Sequence, residues 1–220
     1  AELKAINNAT TGAITLSSYA VALSGSTADV KAALAGTFGD TYTGTVTIGD
    51  ANNTDIQATD ITTINGDTTG TITVTNTIDV NGTAAQVKAA FDAIDTNTGG
   101  ATATLSDAHT LAELKSINNA TGGSITLHDA TVALSGSSAD VKAALFAITG
   151  YTGAVTLTDS HSLSQLRTIN NATSGTITLN SYAVALSGST SDVKQALSGN
   201  FADTYTGSVT IADAGGQDIQ

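Results

Sequence analysis

Internal repetition constrains the fold of this chain more than any other feature. Residues 1–57 align with residues 164–220 without a gap, and 40 of the 57 aligned positions are identical. A shorter period lies inside the long one. The motif I-N-N-A-T or its variant I-N-G-D-T begins at Ile6, Ile64, Ile117 and Ile169. The sequence therefore predicts one continuous repeat array over 1–220, with units at about 1–57, 58–108, 109–160 and 161–220.

Each unit divides again into two βα segments, which we call coils. A short coil contains a stretch such as 111–117, in which apolar residues recur every three or four positions and indicate a helix. A long coil contains V-A-L-S-G followed by a second helical stretch, such as 139–145, that includes D-V-K. Strand-like segments with period two and a preceding Gly, which we interpret as a turn signal, occur at 14–16, 46–48 and 177–179.

These helices and strands are too short to be stable alone, so each copy must bury its apolar face against the next copy. Consecutive βα segments pair their strands in parallel through right-handed crossovers. The predicted fold is therefore α/β, a repeat solenoid of alternating long and short βα coils with a parallel sheet. The alternative is a tandem series of small α+β domains, one for each unit.

The basic residues occupy only two positions in the repeat. Their number is seven, against 19 acidic residues, and the formal net charge is −12. This placement suggests a defined partner such as a neighbouring acidic residue, although a solvated helix face also explains it. The short-coil positions are Lys4, Lys115 and Arg167, and the long-coil positions are Lys31, Lys88, Lys142 and Lys194.

Composition and charge exclude several classes of function. An acidic chain without basic clusters is a poor partner for nucleic acid. No apolar run approaches the ~18 residues of a membrane span, and the absence of Cys excludes disulfides and thiolate metal sites. The chain has no nucleophile-elbow, Walker A, Rossmann or zinc motif. We therefore expect neither enzyme activity nor a membrane span.

Calcium is the one cofactor that the sequence leaves open. An Asp recurs at the corner after successive strands, and stacked carboxylates can bind calcium. The EF-hand and nonapeptide calcium motifs are missing, however, so capping of a turn is the competing interpretation. The calcium candidates are Asp50, Asp107, Asp159 and Asp213, and Asp129 occupies a similar corner.

The His and Asn residues fit structural roles better than catalytic ones. His109 and His161 are repeat-equivalent, and a catalytic His belongs to a single constellation rather than to a copied one. We interpret them, together with His128, as turn residues. The Asn pairs that begin at 7, 118 and 170 suit helix C-termini or hydrogen-bonded ladders. Their second members also match the weak glycosylation pattern N-x-[ST].

Threonine suggests a binding surface. In a solenoid, outward Thr residues on successive strands would align into flat polar ranks. Such ranks resemble the Thr-x-Thr arrays of ice-binding β-solenoids, although β-propensity also explains Thr on an exposed strand face. Other copies interrupt the pattern with Ala or Ser. The Thr pairs are Thr45 and Thr47, Thr71 and Thr73, and Thr176 and Thr178.

The run LAELKSINNATGGSITLHDATVALSGSSADVKAAL resembles tandem repeats of giant cell-surface, adhesin-like proteins of marine cyanobacteria, including the swimming-associated type. The resemblance covers nearly the whole chain. It implies a secreted or cell-surface location and a structural, adhesive or motility-related role, and it transfers no active-site residues. We expect a window of a longer array. Its partners would be neighbouring repeats of the same chain or other copies, associated head-to-tail.

Overall fold

The computed structural model describes residues 1–213, which alternate between short helices and short strands. The helices are α1 (Glu2–Ala9), α2 (Thr27–Leu34), α3 (Ala58–Asp67), α4 (Ala84–Ala93), α5 (Leu111–Ala120), α6 (Ser138–Leu145), α7 (Leu163–Ala172) and α8 (Thr190–Leu197). The strands are β1 (Leu23–Gly25), β2 (Val46–Ile48), β3 (Asp55–Gln57), β4 (Ile72–Val74), β5 (Asp79–Gly82), β6 (Thr96–Asn97), β7 (Thr102–Leu105), β8 (Ile125–Thr126), β9 (Leu134–Gly136), β10 (Val155–Leu157), β11 (Ile177–Thr178), β12 (Leu186–Gly188) and β13 (Val209–Ile211).

The chain divides into two compact units, and both contain parallel sheets. The first unit comprises 1–107 and 120–126, and the second comprises 108–119 and the chain from 127 onward. The first unit has two four-stranded sheets, with the orders β1-β2-β4-β6 and β3-β5-β7-β8. The second has a three-stranded sheet, β11-β10-β9, and the pair β12-β13. Paired residues lie 21 to 26 positions apart, as in Leu134 with Val155 and Val46 with Ile72.

The alternation of residue types explains the strands. In β2, Val46 and Ile48 are buried while Thr47 between them is partly exposed, and β4 repeats this pattern. Each strand is three or four residues long at most, so its backbone groups are satisfied only by the strands of adjacent coils. The core consists of Ile, Val and Leu from the strands together with Val, Ala and Leu from the helices.

Serine side chains cap three of the long-coil helices. Ser26, Ser137 and Ser189 accept hydrogen bonds from the backbone N–H three residues later, and an Asp lies in each first turn. The residues after two of these caps, Thr27 and Ser138, are turned inward and buried, and Thr190 after the third is partly buried.

The structure confirms alternating strands and helices with parallel pairing, while the solenoid stays a prediction. The V-A-L-S-G motif or its variant forms a strand in each long coil, and in the first unit β1 joins the same sheet as the main strand β2. The segment 14–16 is weaker than predicted, because only Ile14 forms a bridge, with Phe38. No helix within residues 1–213 is long and apolar enough to cross a membrane.

Candidate functional site

The four calcium candidates all lie at the N-termini of long-coil helices. Each accepts a hydrogen bond from the first backbone N–H of a helix that begins 21 or 23 residues earlier. The oxygen Oδ2 of Asp50 lies 2.7 Å from the amide nitrogen of Thr27 and 2.6 Å from its hydroxyl. These carboxylates satisfy amide groups that a helix N-terminus otherwise leaves unpaired, and they complement its positive dipole. The other pairs are Asp107 with Ala84, Asp159 with Ser138 and Asp213 with Thr190.

Asp129 is engaged differently from the other corner residues. Its Oδ1 atom accepts hydrogen bonds from the amide and the hydroxyl of Thr131, at 2.8 and 2.6 Å. These bonds hold the pKa of the Asp129 carboxyl below its usual value. The residue therefore closes a local turn. Within the described part of the chain, no three His, Cys, Asp or Glu side chains are arranged to hold a metal ion.

The restricted placement of the basic residues corresponds to ion pairs between helices. Five of the seven pair with an Asp, and four of these pairs join consecutive helices. Lys31 of α2 contacts Asp60 of α3 at 2.5 Å. The Lys4 and Lys115 ammonium groups lower the pKa of their partners, Asp29 and Asp140, chiefly by hydrogen bonding. Arg167 pairs with Asp192 in the same register, whereas Lys88 pairs with Asp92 of its own helix.

The first Asn of each pair also bridges two helices. Asn7 donates its Nδ2 group to the carbonyl of Ala32 at 2.8 Å, and Asn118 does the same with Ala143 at 2.7 Å. Asn170 donates to the carbonyl of Gln195 at 2.6 Å. These carbonyls belong to the last turns of the next helix, where no backbone donor is available. Each Asn lies in the last turn of its own helix, as the first interpretation expected, but these bonds run to a main-chain carbonyl of the next helix and not to another Asn side chain.

Most of the Gly residues that precede main strands are required by close approach of backbones and not by a turn, although Gly100 before β7 has a φ of +65° and no atom near its Cβ position. A Cβ built on Gly70 would lie 2.8 Å from the carbonyl oxygen of Thr43 and closer still to the carbonyl group of Gly44. Gly123 faces the carbonyl oxygens of Ala101 and Gly100 in the same way, at 2.6 and 2.7 Å. Neither Gly has a positive φ. Only a residue without a side chain therefore fits between adjacent strands there.

Two buried His residues pack against Tyr, and the sequence pattern did not single out the Tyr positions. The Nε2 atom of His161 lies 3.1 Å from the hydroxyl of Tyr205, which donates to the carbonyl of Val184 at 2.6 Å. That hydroxyl must therefore accept from His161, which fixes the Nε2–H tautomer of the neutral ring. Burial lowers the pKa of His161. His109 contacts Tyr151 likewise, at 3.5 Å.

A recurring sequence motif identifies these Tyr residues. Tyr42, Tyr151 and Tyr205 each stand two residues before a Gly that precedes a main strand, in the form Y-T-G. Each donates its hydroxyl to a Val carbonyl about 20 residues earlier, and burial raises the pKa of Tyr151 to about 12. His128, by contrast, is exposed, as a turn residue would be.

Hydroxyl groups form ranks across the sheets, as the Thr pattern suggested. In the first unit, Ser24, Thr47, Thr73 and Thr96 are consecutive partners on β1, β2, β4 and β6. In the second unit, a shorter rank crosses β9, β10 and β11 and ends at Thr178. The other predicted Thr residues, Thr45, Thr71 and Thr176, precede the strands and contribute their carbonyls to the ladder.

Comparisons with known proteins add no relative. No family model, no curated protein and no solved structure matches this chain.

Proposed function

We propose that this chain is a structural segment of a large secreted or cell-surface protein. It would stack short and long coils as a solenoid and so build an extended stalk, surface layer or filament. One observation carries the proposal. Side chains that recur along the chain, namely four corner Asp residues, three Asn residues and four basic residues, bond to neighbouring helices instead of converging on one site.

This use of side chains differs from that of an enzyme. A catalytic centre gathers different residues once, in a single constellation, whereas the contacts of the corner Asp, the Asn and most basic residues recur along the chain. We therefore propose no catalytic residues and no resident cofactor. The acidic surface disfavours nucleic acid, and the partners that we propose are neighbouring repeats of the same chain or other copies of it.

Length scaling tests the proposal. A second copy of the 163-residue period (residues 58–220), fused in register after Gln220, should give a particle longer by the span of six coils and unchanged in width. Small-angle scattering and negative-stain electron microscopy measure both dimensions. A particle that grows equally in all directions, or two tumbling bodies joined by a linker, would contradict stacking and favour tandem domains.

Calcium dependence needs a separate measurement. The corner carboxylates already accept hydrogen bonds from backbone amides, so we expect the melting temperature to be the same with calcium and with chelator. The control is an Asp50→Asn variant, which keeps an oxygen acceptor for Thr27 but removes the charge that a cation needs. A stabilisation by calcium that disappears in this variant would restore the calcium hypothesis.

The hydroxyl ranks support a second candidate, a solenoid that binds an ice, mineral or other crystalline surface. The rank through Thr47 and Thr73 presents regularly spaced hydroxyls on parallel strands, which lie about 4.8 Å apart. Replacement of Thr73 by Lys would interrupt this rank. The exposed Thr63 on α3 provides the matched control. Thermal hysteresis or crystal adhesion that is lost with Thr73→Lys and retained with Thr63→Lys would favour this candidate.

A further inference from the structure

Phe146 lies on a loop that differs from the equivalent loops of the repeat. It is 62% exposed and directly follows the last residue of α6. Its repeat-equivalents, Ala35 and Ser198, keep helical backbone angles, whereas Phe146 has φ −59° and ψ 127° and so leaves the helix. Five residues (146–150) connect α6 to the Tyr of its Y-T-G motif, against seven after α2 and after α8. This coil therefore presents an aromatic ring that the equivalent coils lack.

A tight turn fixes Phe146 in its exposed position. The amide of Ile148 donates to the carbonyl of Leu145 at 3.1 Å, and Ala147 has a φ of +59°. These are features of a type II turn, whose third residue is normally Gly or Asn because a side chain is crowded at positive φ. Asn118 of α5 donates its Nδ2 group to the carbonyl of Phe146 at 2.6 Å. A strained residue beside an exposed aromatic ring is typical of a functional site.

The Phe146 side chain borders an open hollow between α5 and α6. The hollow has a volume of about 170 Å³, and Asn118, Asn119, Ala139 and Lys142 also line it. Asn119 is exposed, and its side chain forms no hydrogen bond within residues 1–213, so its amide is available to a ligand. Pockets for drug-sized ligands measure about 300–1,000 Å³. This smaller hollow therefore suits a single ring of a larger molecule.

Lys142 brings to this hollow a positive charge that no acidic side chain neutralises. Its repeat-equivalent, Lys31, pairs with Asp60 of the next helix. The position equivalent to Asp60 is Gln165, whose side chain instead caps its own helix. The Lys142 ammonium group lies 3.5 Å from the hydroxyl of Ser164 and forms no ion pair in the described part of the chain. An unpaired cation on a chain of net charge −12 favours an anionic ligand.

The lining groups together define the chemistry of that ligand. One face of a pyranose ring consists of C–H groups, which pack on the electron-rich face of an aromatic ring such as Phe146. Sugar hydroxyls bond to an amide such as that of Asn119. An acidic substituent pairs with Lys142, because Asp140 of the same helix is already engaged by Lys115. A purely apolar ligand would instead cover the amide and the ammonium group without giving them partners.

We infer that the hollow between α5 and α6 binds an acidic pyranose unit of a polysaccharide. Phe146 supplies the platform for the ring, Asn119 bonds to its hydroxyls, and Lys142 pairs with its carboxylate or sulfate group. Because the hollow is open, the neighbouring sugar units extend beyond it. The inference does not rest on the proposed solenoid, since all the lining residues belong to the second compact unit.

Titration of the whole chain with tetragalacturonate, followed by the NMR shifts of backbone amides, tests this site. We expect saturable changes confined to 118–119 and 139–147, with a dissociation constant on the order of 1 mM because only one ring and one charge are held. The fully methyl-esterified tetramer is the matched control. It has the same rings without the charge and should bind about tenfold more weakly. A sulfated tetrasaccharide in a parallel titration distinguishes a general requirement for an acidic sugar from a requirement for a carboxylate.

Paired variants separate the contribution of the ring from that of the charge. Phe146→Leu keeps the apolar bulk but removes the aromatic face and should weaken binding about tenfold, whereas Phe146→Tyr should retain it. Lys142→Gln should reduce the affinity for tetragalacturonate to that for its methyl ester, whereas Lys142→Arg should retain it. Lys31→Gln makes the same change in a coil without the aromatic residue and should have no effect. Circular dichroism verifies that all the variants are folded.

Several outcomes would overturn this inference. They are the absence of saturable shifts at millimolar sugar, equal affinity for the acid and its methyl ester, and binding that Phe146→Leu leaves intact. Self-association that Phe146→Leu abolishes would identify the hollow as a contact between copies of the chain and would overturn it equally. None of these results bears on the length scaling of the 163-residue period, which tests the proposed function separately.

Discussion

Replacement of Gly70 by Ala tests the close approach of backbones on which the stacking of coils depends. The added methyl group would lie 2.8 Å from the carbonyl oxygen of Thr43 and nearer to the carbonyl of Gly44, whereas Cβ atoms essentially never approach another atom within 3.0 Å. Neither contact is with a flexible side chain, so the backbones themselves must separate. Gly70 does not have a positive φ, so the effect is steric and not conformational.

Separation of these backbones strains two hydrogen bonds that flank Gly70. The amide of Thr69 donates to Tyr42 at 2.9 Å, and the amide of Val46 donates to Thr71 at 2.8 Å. Loss of two such bonds costs about 2 kcal/mol. Overpacking of the adjacent core adds about 2 kcal/mol. We therefore expect Gly70→Ala to lower the unfolding free energy of the first unit by about 4 kcal/mol.

Gly66, four residues earlier, is the matched control. It lies inside α3, and a Cβ built on it meets no atom within 4 Å. Gly66→Ala should raise the unfolding free energy by about 1 kcal/mol, because Ala favours the helix. Urea denaturation measures both, and for an m-value of about 2 kcal/mol per M the Gly70→Ala midpoint falls by about 2 M. Equal midpoints for Gly70→Ala and the wild type would refute the steric argument.

Three other predictions concern individual side chains. Asp159→Ala should lower the unfolding free energy measured in urea by about 1–2 kcal/mol, because the first amide of α6 loses its cap. Phe91 is buried, so Phe91→Ala should lower the unfolding free energy by about 3–5 kcal/mol. Phe146 is exposed, so Phe146→Ala should lower it by less than about 0.5 kcal/mol. Equal losses for the two variants would contradict this prediction. Burial lowers the pKa of His161 in the folded protein. The neutral ring therefore stabilises the fold fully above the unfolded-state pKa of about 6.5. This stabilisation declines as the pH falls toward the lower pKa of His161 in the folded state. Thermal melts between pH 7.5 and 5 should show this decline, and His161→Gln should reduce it.

Local features of this fold follow directly from the sequence. The helix starts at Ser26 and Ser137 depend on a cap and the next few residues, and the alternation in β2 depends on three residues. Such signals are contained in one coil, so each can be interpreted without knowledge of any other coil. The same applies to parallel pairing, which follows from the βα order.

For the contacts between coils, the sequence predicts the type of contact but not the residues that form it. The sequence indicates a partner for the basic residues but does not identify it, because that choice depends on the axial offset of two helices. Asp50 is a clear case. It follows a strand and suggests a local turn or a cation site, yet it caps α2, which begins 23 residues earlier. The spacing of 21 to 26 residues between paired positions varies with loop length, and no local pattern fixes it.

The ion pairs between helices explain more about register than about stability. Exposed pairs contribute about 0–1 kcal/mol each and are weakened by salt, so stability alone does not account for basic residues confined to two positions. The helix faces that meet in each unit are rich in Ala, Val and Ile, whose small and uniform side chains allow a helix to slide by one turn. A Lys or Arg that meets one Asp favours a single offset, as polar groups do in other helical assemblies. Charge reversal in one such pair, as in Asp29→Lys, should therefore change the axial position of α1 relative to α2 more than it changes the unfolding free energy of the first unit.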